Sequence, residues 1–292
     1  MASFLAFSKM LDFKSLKKPY LIAEIGINHN GDLQLAKKLI DATFACSWDC
    51  VKFQKKNPDI CVPEGQKNLP KDTPWGKMTY LEYKKRLEFG RKEYDYINQY
   101  CREKPIDWTA SVWDLDSLEF IKKYNPPFLK IPSAHLTNHK LLKAAAKTGI
   151  PIIASTGMST LKEIDDAVAI LKRYSSQFAL LHCNSSYPAQ VSELNLKMIP
   201  QLAKRYKCVI GYSGHEFGLP STTMAVVLGA KIVDRHITLD HSMWGTDQLA
   251  SVEPQGMDKF YKQVADASLC LGYGKKRIYE AELAIKKKLR DR

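Results

Sequence analysis

Lys52 stands between Val51 and Phe53, and Lys130 between Leu129 and Ile131. An ammonium carried into an apolar strand is costly unless it meets an anion, so both positions point to a site for negative charge. Hydroxyls recur where other short apolar runs end, at Ser111, Ser133, Ser155, Ser185 and Ser213. Two lysines ringed by serines suit a phosphate and a carboxylate. His215 and His236 also end apolar runs. Two imidazoles completed by oxygen ligands or water suit Mn²⁺, Fe²⁺, Co²⁺ or Zn²⁺, and hydrogen-bonding structural histidines are the equal alternative. Glu24 lies inside Ile-Ala-Glu-Ile-Gly, where a carboxylate needs a partner or a function. Asp247, in Trp244-Gly245-Thr246-Asp247, fits a loop closing over a site or an ordinary turn. His182, deeper in its run, reads as a hydrogen-bonded core residue.

Such groups converge only if the elements carrying them share one end of a sheet. Short β-branched runs at 19–26, 50–55, 107–112, 128–133, 151–156, 178–183, 207–213 and 231–238 predict strands. Between them the apolar spacing turns helical, as at Leu141, Leu142, Ala145 and Ala146, or Ile164, Ala167, Val168 and Leu171. Asn138, Thr160 and Asn195 are expected N-caps, and Gly149 before Pro151 a helix end. Eight βα units predict an α/β fold of the (β/α)8 TIM-barrel type, with a doubly wound open sheet as the alternative. Barrel active sites occupy the C-terminal strand ends, where these polar residues fall. Segments 56–79 and 239–256 depart from the rhythm and predict long loops, usual places for substrate lids.

At 292 residues and 45% hydrophobic, the chain suits one such domain. It divides into an N-terminal extension (1–18), a barrel (19–275) and a basic C-terminal helix (276–292). No apolar run approaches the roughly 20 residues of a membrane span, and the start lacks a charged leader, so a soluble cytoplasmic protein without a membrane partner is expected. Seven cysteines without a Cys-x-x-Cys pair predict reduced, mostly buried thiols. The net charge of +13 lies largely in lysine pairs on helix faces. It favours anionic substrates, and the lack of an RNP-like, Gly-x-x-Gly or zinc-finger pattern argues against nucleic acid.

The segments IAEIGINHNGD, VKFQ, LKIPS, IIASTGMST, LLHCNSSYPA, IGYSGHEFG and RHITLD, in this order, resemble the N-acylneuraminate (sialic acid) synthase family over roughly residues 19–260. The resemblance implies phosphoenolpyruvate against Lys52, Lys130, Ser133, Ser155 and Ser213. Ser111 and Ser185, with Asn184 as an alternate, fall at further phosphate or carboxylate contacts. It implies a divalent metal, Mn²⁺ first with Mg²⁺, Co²⁺ or Zn²⁺ as alternatives, on His215 and His236. Glu24, Gln54, Tyr187 and Asp247 correspond to positions that meet an amino-sugar aldehyde. The implied reaction polarises the aldehyde with the metal, adds C3 of phosphoenolpyruvate to it, hydrates C2 and releases phosphate by C–O cleavage. Glu24 and Asp247 are the implied proton-handling or positioning carboxylates.

Three departures bear on the sugar. His135 replaces a glutamate usual after the strand-four Lys-Ile-x-Ser pattern, placing a proton-handling role there in doubt. His241 replaces an arginine usual after Thr-Leu-Asp. The resemblance also stops short of the family's antifreeze-like C-terminal domain, so the two long loops, with Trp75 and Trp244, are expected to serve as a lid. A homodimer through the barrels is the expected assembly. Two other readings are a Schiff-base aldolase working through Lys52 or Lys130 and a non-catalytic barrel binding nucleic acid through its basic surface.

Overall fold

A computed structural model describes residues 10–290. Residues 1–9 of the N-terminal extension, and 291–292 after the final helix, lie outside the described residues. Eight strands run β1 (Tyr20–Gly26), β2 (Cys50–Lys55), β5 (Asp107–Val112), β6 (Leu129–Ile131), β7 (Ile152–Ser155), β8 (Phe178–Cys183), β9 (Val209–Gly214) and β10 (Ile232–His236). They close in that order, with β10 pairing back onto β1 and every pair parallel, into a (β/α)8 barrel. The doubly wound alternative is excluded by the closure.

The helices are α1 (Leu33–Ala45), α2 (Pro58–Cys61), α3 (Tyr80–Leu87), α4 (Arg91–Glu103), α5 (Leu115–Ile121), α6 (His139–Ala146), α7 (Leu161–Tyr174), α8 (Met198–Tyr206), α9 (Pro220–Val227), α10 (Pro254–Cys270) and α11 (Glu280–Arg290). Asn138 and Thr160 cap α6 and α7, the latter in a reciprocal capping box with Glu163. Asn195 instead sits three residues before α8 with a positive φ of 44°, and Lys197 occupies the cap. Helix α10 closes the ring, its Met257 carbonyl accepting from the Trp48 indole at 3.1 Å and its Phe260 ring 5.8 Å from Trp48.

Segment 56–79 is more ordered than a loop. It holds α2 and an antiparallel hairpin of β3 (Pro70–Thr73) and β4 (Gly76–Thr79). Its turn needs Gly76 at φ +103°, and Thr73 Oγ1 donates to the Gly76 carbonyl at 2.7 Å. These strands are short and polar, so the alternation that reveals a half-buried strand is missing.

Two apolar layers flank the sheet. Outward residues such as Leu21, Ala23, Val51, Phe53 and Leu129 pack against the helices. Inward residues Ile22, Cys50, Ile153, Leu181 and Ile232 fill the N-terminal half of the barrel, with Phe13 of the extension packed beneath them. Because side chains alternate across a strand, the next inward position in β1, β2, β7 and β10 is Glu24, Lys52, Ser155 and Asp234. The interior thus changes from apolar to charged within one pleat.

Candidate active site

The C-terminal strand ends enclose a cavity of about 180 Å³. Its floor is a four-charge cluster. Lys52 Nζ donates to Glu24, lies 3.3 Å from Asp234 Oδ2 and 3.4 Å from Ser111 Oγ. Lys130 Nζ lies 3.4 Å from the same Asp234 oxygen. All four groups are buried. Burial works against the Lys52 charge, but the Asp234 and Glu24 carboxylates outweigh it and hold its pKa above the ordinary lysine value. Lys130 is left lower than an ordinary lysine, because burial and the Lys52 charge together exceed the pull of Asp234. Burial alone would raise Asp234, yet the two ammonium groups keep it below the usual carboxylate range. The anions that the sequence demands for its two strand lysines are therefore partly internal. Asp234 escaped the sequence reading, although an Asp-Arg pair inside the run Ile232–His236 was the available signal.

Hydroxyls line the wall beyond the lysines. Ser111, Ser133, Ser155, Ser185 and Ser213 all border the cavity, and Ser155 Oγ is buried with no hydrogen-bond partner. Ser133 Oγ accepts from the Gly157 amide at 3.0 Å. A Cβ on Gly157 would lie 2.9 Å from that oxygen and closer still to Ser185 Oγ, so only glycine lets this backbone approach the serines. Cys183 joins the wall, its thiol pKa raised by burial, and Trp113 and Met158 add apolar surface.

The opposite wall carries the histidines, with ring centroids 5.7 Å apart. His215 Nδ1 meets the Asn184 carbonyl at 2.7 Å, which leaves Nε2 to accept from the Tyr187 hydroxyl at 2.9 Å. Burial, with His236 alongside, lowers the His215 pKa to about 3, so the ring is neutral. His236 Nδ1 is buried without a hydrogen bond, 3.8 Å from Asp247 Oδ2. Behind both, Arg235 donates to Glu216 Oε1 at 3.1 Å, and Glu216 also accepts from Tyr212 and Thr222 at 2.9 Å. This buried pair braces the ends of β9 and β10 and was also not singled out from sequence.

Gln54 and Tyr187 border the cavity as well, Gln54 Nε2 donating to Glu24 Oε1 at 3.2 Å. Three sequence candidates do not line it. His135 ends a 3-10 turn that carries its ring outward, edge-on to Trp113 at 5.3 Å, and Ala134 faces the cavity instead. The Asn184 side chain is turned away, accepting from the Ser186 amide at 2.9 Å, and only its carbonyl serves the site by orienting His215. Asp247 stands at the rim. His182 is held structurally, with Nε2 2.7 Å from the Leu194 carbonyl. His241 lies outside the cavity, its Nδ1 2.9 Å from Glu253.

Residues 39–276 match the NeuB family. The chain belongs to the NeuB family. This NeuB chain is 37% identical to human N-acetylneuraminate-9-phosphate synthase over 92% of its own length and 76% of that protein's. It is 36% identical to N,N'-diacetyllegionaminic acid synthase of Legionella pneumophila over 91% of this chain and 77% of the relative. Among solved structures, the N-acetylneuraminic acid synthetase of Leptospira borgpetersenii in complex with citrate superposes with a TM-score of 0.83 at 33% identity, covering 94% of each chain. No described helix is long and apolar enough to cross a membrane.

Proposed function

We propose that this NeuB chain condenses phosphoenolpyruvate with an amino-sugar aldehyde, N-acetylmannosamine or a related hexose, and releases phosphate. The observation that carries this reading is the convergence of two buried lysines and five serines, from separate strand ends, on one small cavity walled by His236 and by His215, which burial keeps neutral.

Lys130 has one carboxylate contact, shared with Lys52, so its ammonium keeps donors for a bound anion. The serine hydroxyls, including the unpartnered Ser155, complete a donor set for the phosphate and carboxylate of phosphoenolpyruvate. Glu24, already receiving Lys52 and Gln54, positions a sugar hydroxyl or accepts a proton as phosphate leaves by C–O cleavage.

The histidines fit a divalent cation such as Mn²⁺. A backbone carbonyl fixes His215 with Nε2 free of its proton, the orientation metal-binding imidazoles usually need, and His236 Nδ1 makes no hydrogen bond. No cluster of three His, Cys, Asp or Glu side chains stands ready among the described residues, so water and substrate oxygens would fill the remaining positions. Such a cation, when bound, supplies Lewis-acid polarisation of the aldehyde.

Phosphate release measured across N-acetylmannosamine, its 6-phosphate, mannose and a diamino hexose, with and without EDTA, tests the reading. Acceptor-dependent release that EDTA abolishes and Mn²⁺ restores is the expected result. Release without any acceptor, or borohydride trapping of pyruvate on Lys52 or Lys130, overturns it.

A further inference from the structure

A second cavity, of about 250 Å³, opens at the N-terminal face of the barrel, where β8 and β9 begin. Its walls include Lys14, Lys172 and Lys207, which come from the N-terminal extension, the last turn of α7 and the residue after α8. Phe13, Phe178 and Cys208 supply apolar surface. Burial pushes the Cys208 thiol up to about 11 against the pull of the Lys172 charge, so it stays protonated and adds no negative charge. Phe178 borders this cavity and Cys183 the catalytic one, at opposite ends of β8 and roughly 16 Å apart at the usual rise of a strand.

The three lysines are positioned and left unpaired. The Gln177 side chain holds the extension in place, its Oε1 accepting from the Phe13 amide at 3.1 Å and its Nε2 donating to the Leu11 carbonyl at 2.9 Å. Lys207 caps α8 with a left-handed φ of 53°, its amide donating to the Ala203 carbonyl at 3.0 Å. None of the three lysines makes an ion pair among the described residues. Asp12 and Asp165 are engaged elsewhere: Asp12 accepts from the Lys14 amide at 3.0 Å, and Asp165 from Arg205 Nε and the Tyr206 hydroxyl, both at 2.9 Å. Cations at helix C-termini commonly answer the helix dipole, but the ends of α7 and α8 offer only about half a negative charge each. Three ammonium groups against that leave a surplus of about two positive charges.

We propose that this cavity binds a compact dianion, a phosphate monoester whose apolar ring lies against Phe13 and Phe178, and that the bound ligand ties the N-terminal extension to α7 and α8. Lysine point charges suit phosphate, and a phosphate ester carries close to two negative charges at neutral pH. A cavity of about 150 Å³ already holds benzene, so this one has room for a ring and its phosphate. The site is separate from the chemistry of the barrel mouth and needs no part of it.

Calorimetric titration with phenyl phosphate tests this in the wild type, Lys14→Gln, Lys172→Gln, Lys172→Arg and Lys207→Gln, each repeated with Lys130→Met to remove anion binding from the catalytic cavity. Binding survives Lys130→Met, weakens about tenfold or more in each glutamine variant, the scale of one charge-assisted hydrogen bond, and keeps its strength in Lys172→Arg. Inorganic phosphate binds several-fold more weakly for want of the ring. Binding that disappears with Lys130→Met alone, that ignores the glutamine variants, or that inorganic phosphate matches overturns the proposal. If Lys130→Met does not fold, hydrogen exchange decides: phenyl phosphate slows the Leu11 and Phe13 amides in the wild type and not in Lys172→Gln. Unchanged exchange in the wild type, or slowing that persists in Lys172→Gln, overturns it.

Discussion

Gly157 shows how one backbone position controls the anion wall. Its missing Cβ lets the chain pass within hydrogen-bond reach of Ser133 and beside Ser185. Gly157→Ala is expected to push both hydroxyls aside and raise the KM for phosphoenolpyruvate about tenfold or more, with little change in thermal stability. An unchanged KM would show that these serines do not hold that substrate. His29 makes a separate prediction, on stability. Burial lowers its pKa from 6.5 to about 3, with the ring stacked on Phe89 at 4.0 Å and Nδ1 accepting from the Gly31 amide at 3.1 Å. The folded pKa lies below the unfolded one, so the unfolded chain takes up the proton first. The contribution of His29 is therefore complete above about pH 6.5 and is lost as pH falls toward 3. At pH 5 the loss is about 2 kcal/mol. Urea unfolding at pH 7.5 and 5.0 should show the wild type losing about that much more than His29→Asn; equal losses would contradict it. Lys52 and Lys130 were legible in the sequence because a charge in an apolar run must be answered. Asp234 was not, because which of several strands answers it depends on barrel closure and on the register that sets Asp234 beside Ser213 and Ile22.

At the scale of elements, the eight strands were legible within about two residues at each end, because their apolar runs are bounded by turn residues. The β3–β4 hairpin was not, being short and polar, and the outward turn of His135 depends on a 3-10 segment that spacing does not reveal. The two departing segments do meet. Trp75 and Trp244 pack edge-on at 5.4 Å, and the Trp244 carbonyl accepts from Asn30 Nδ2 at 2.8 Å. Neither indole lines the cavity, and their contact joins the segment of the β3–β4 hairpin to the one that carries Asp247. Trp244→Ala and Trp75→Ala are each expected to raise the KM of the sugar several-fold while leaving that of phosphoenolpyruvate nearly unchanged. Unchanged sugar kinetics in both variants would reduce the contact to a structural anchor.

For the whole molecule, the barrel sorts its interior by depth. An apolar N-terminal half supports a charged layer, and the charged layer supports a mouth of serines and histidines. Composition gave the size of this barrel, but not the acceptor, since the residues around the cavity mouth come from segments far apart in the chain. In the proposed reaction phosphoenolpyruvate loses phosphate by C–O cleavage as its C3 joins a sugar aldehyde. Phosphoenolpyruvate carrying ¹⁸O in the bridge between C2 and phosphorus tests this most directly, with mass spectrometry of both products. The released phosphate is expected to keep the label and to appear in equal amount with a keto acid three carbons longer than the sugar. Unlabelled phosphate, or phosphate without that keto acid, would contradict it.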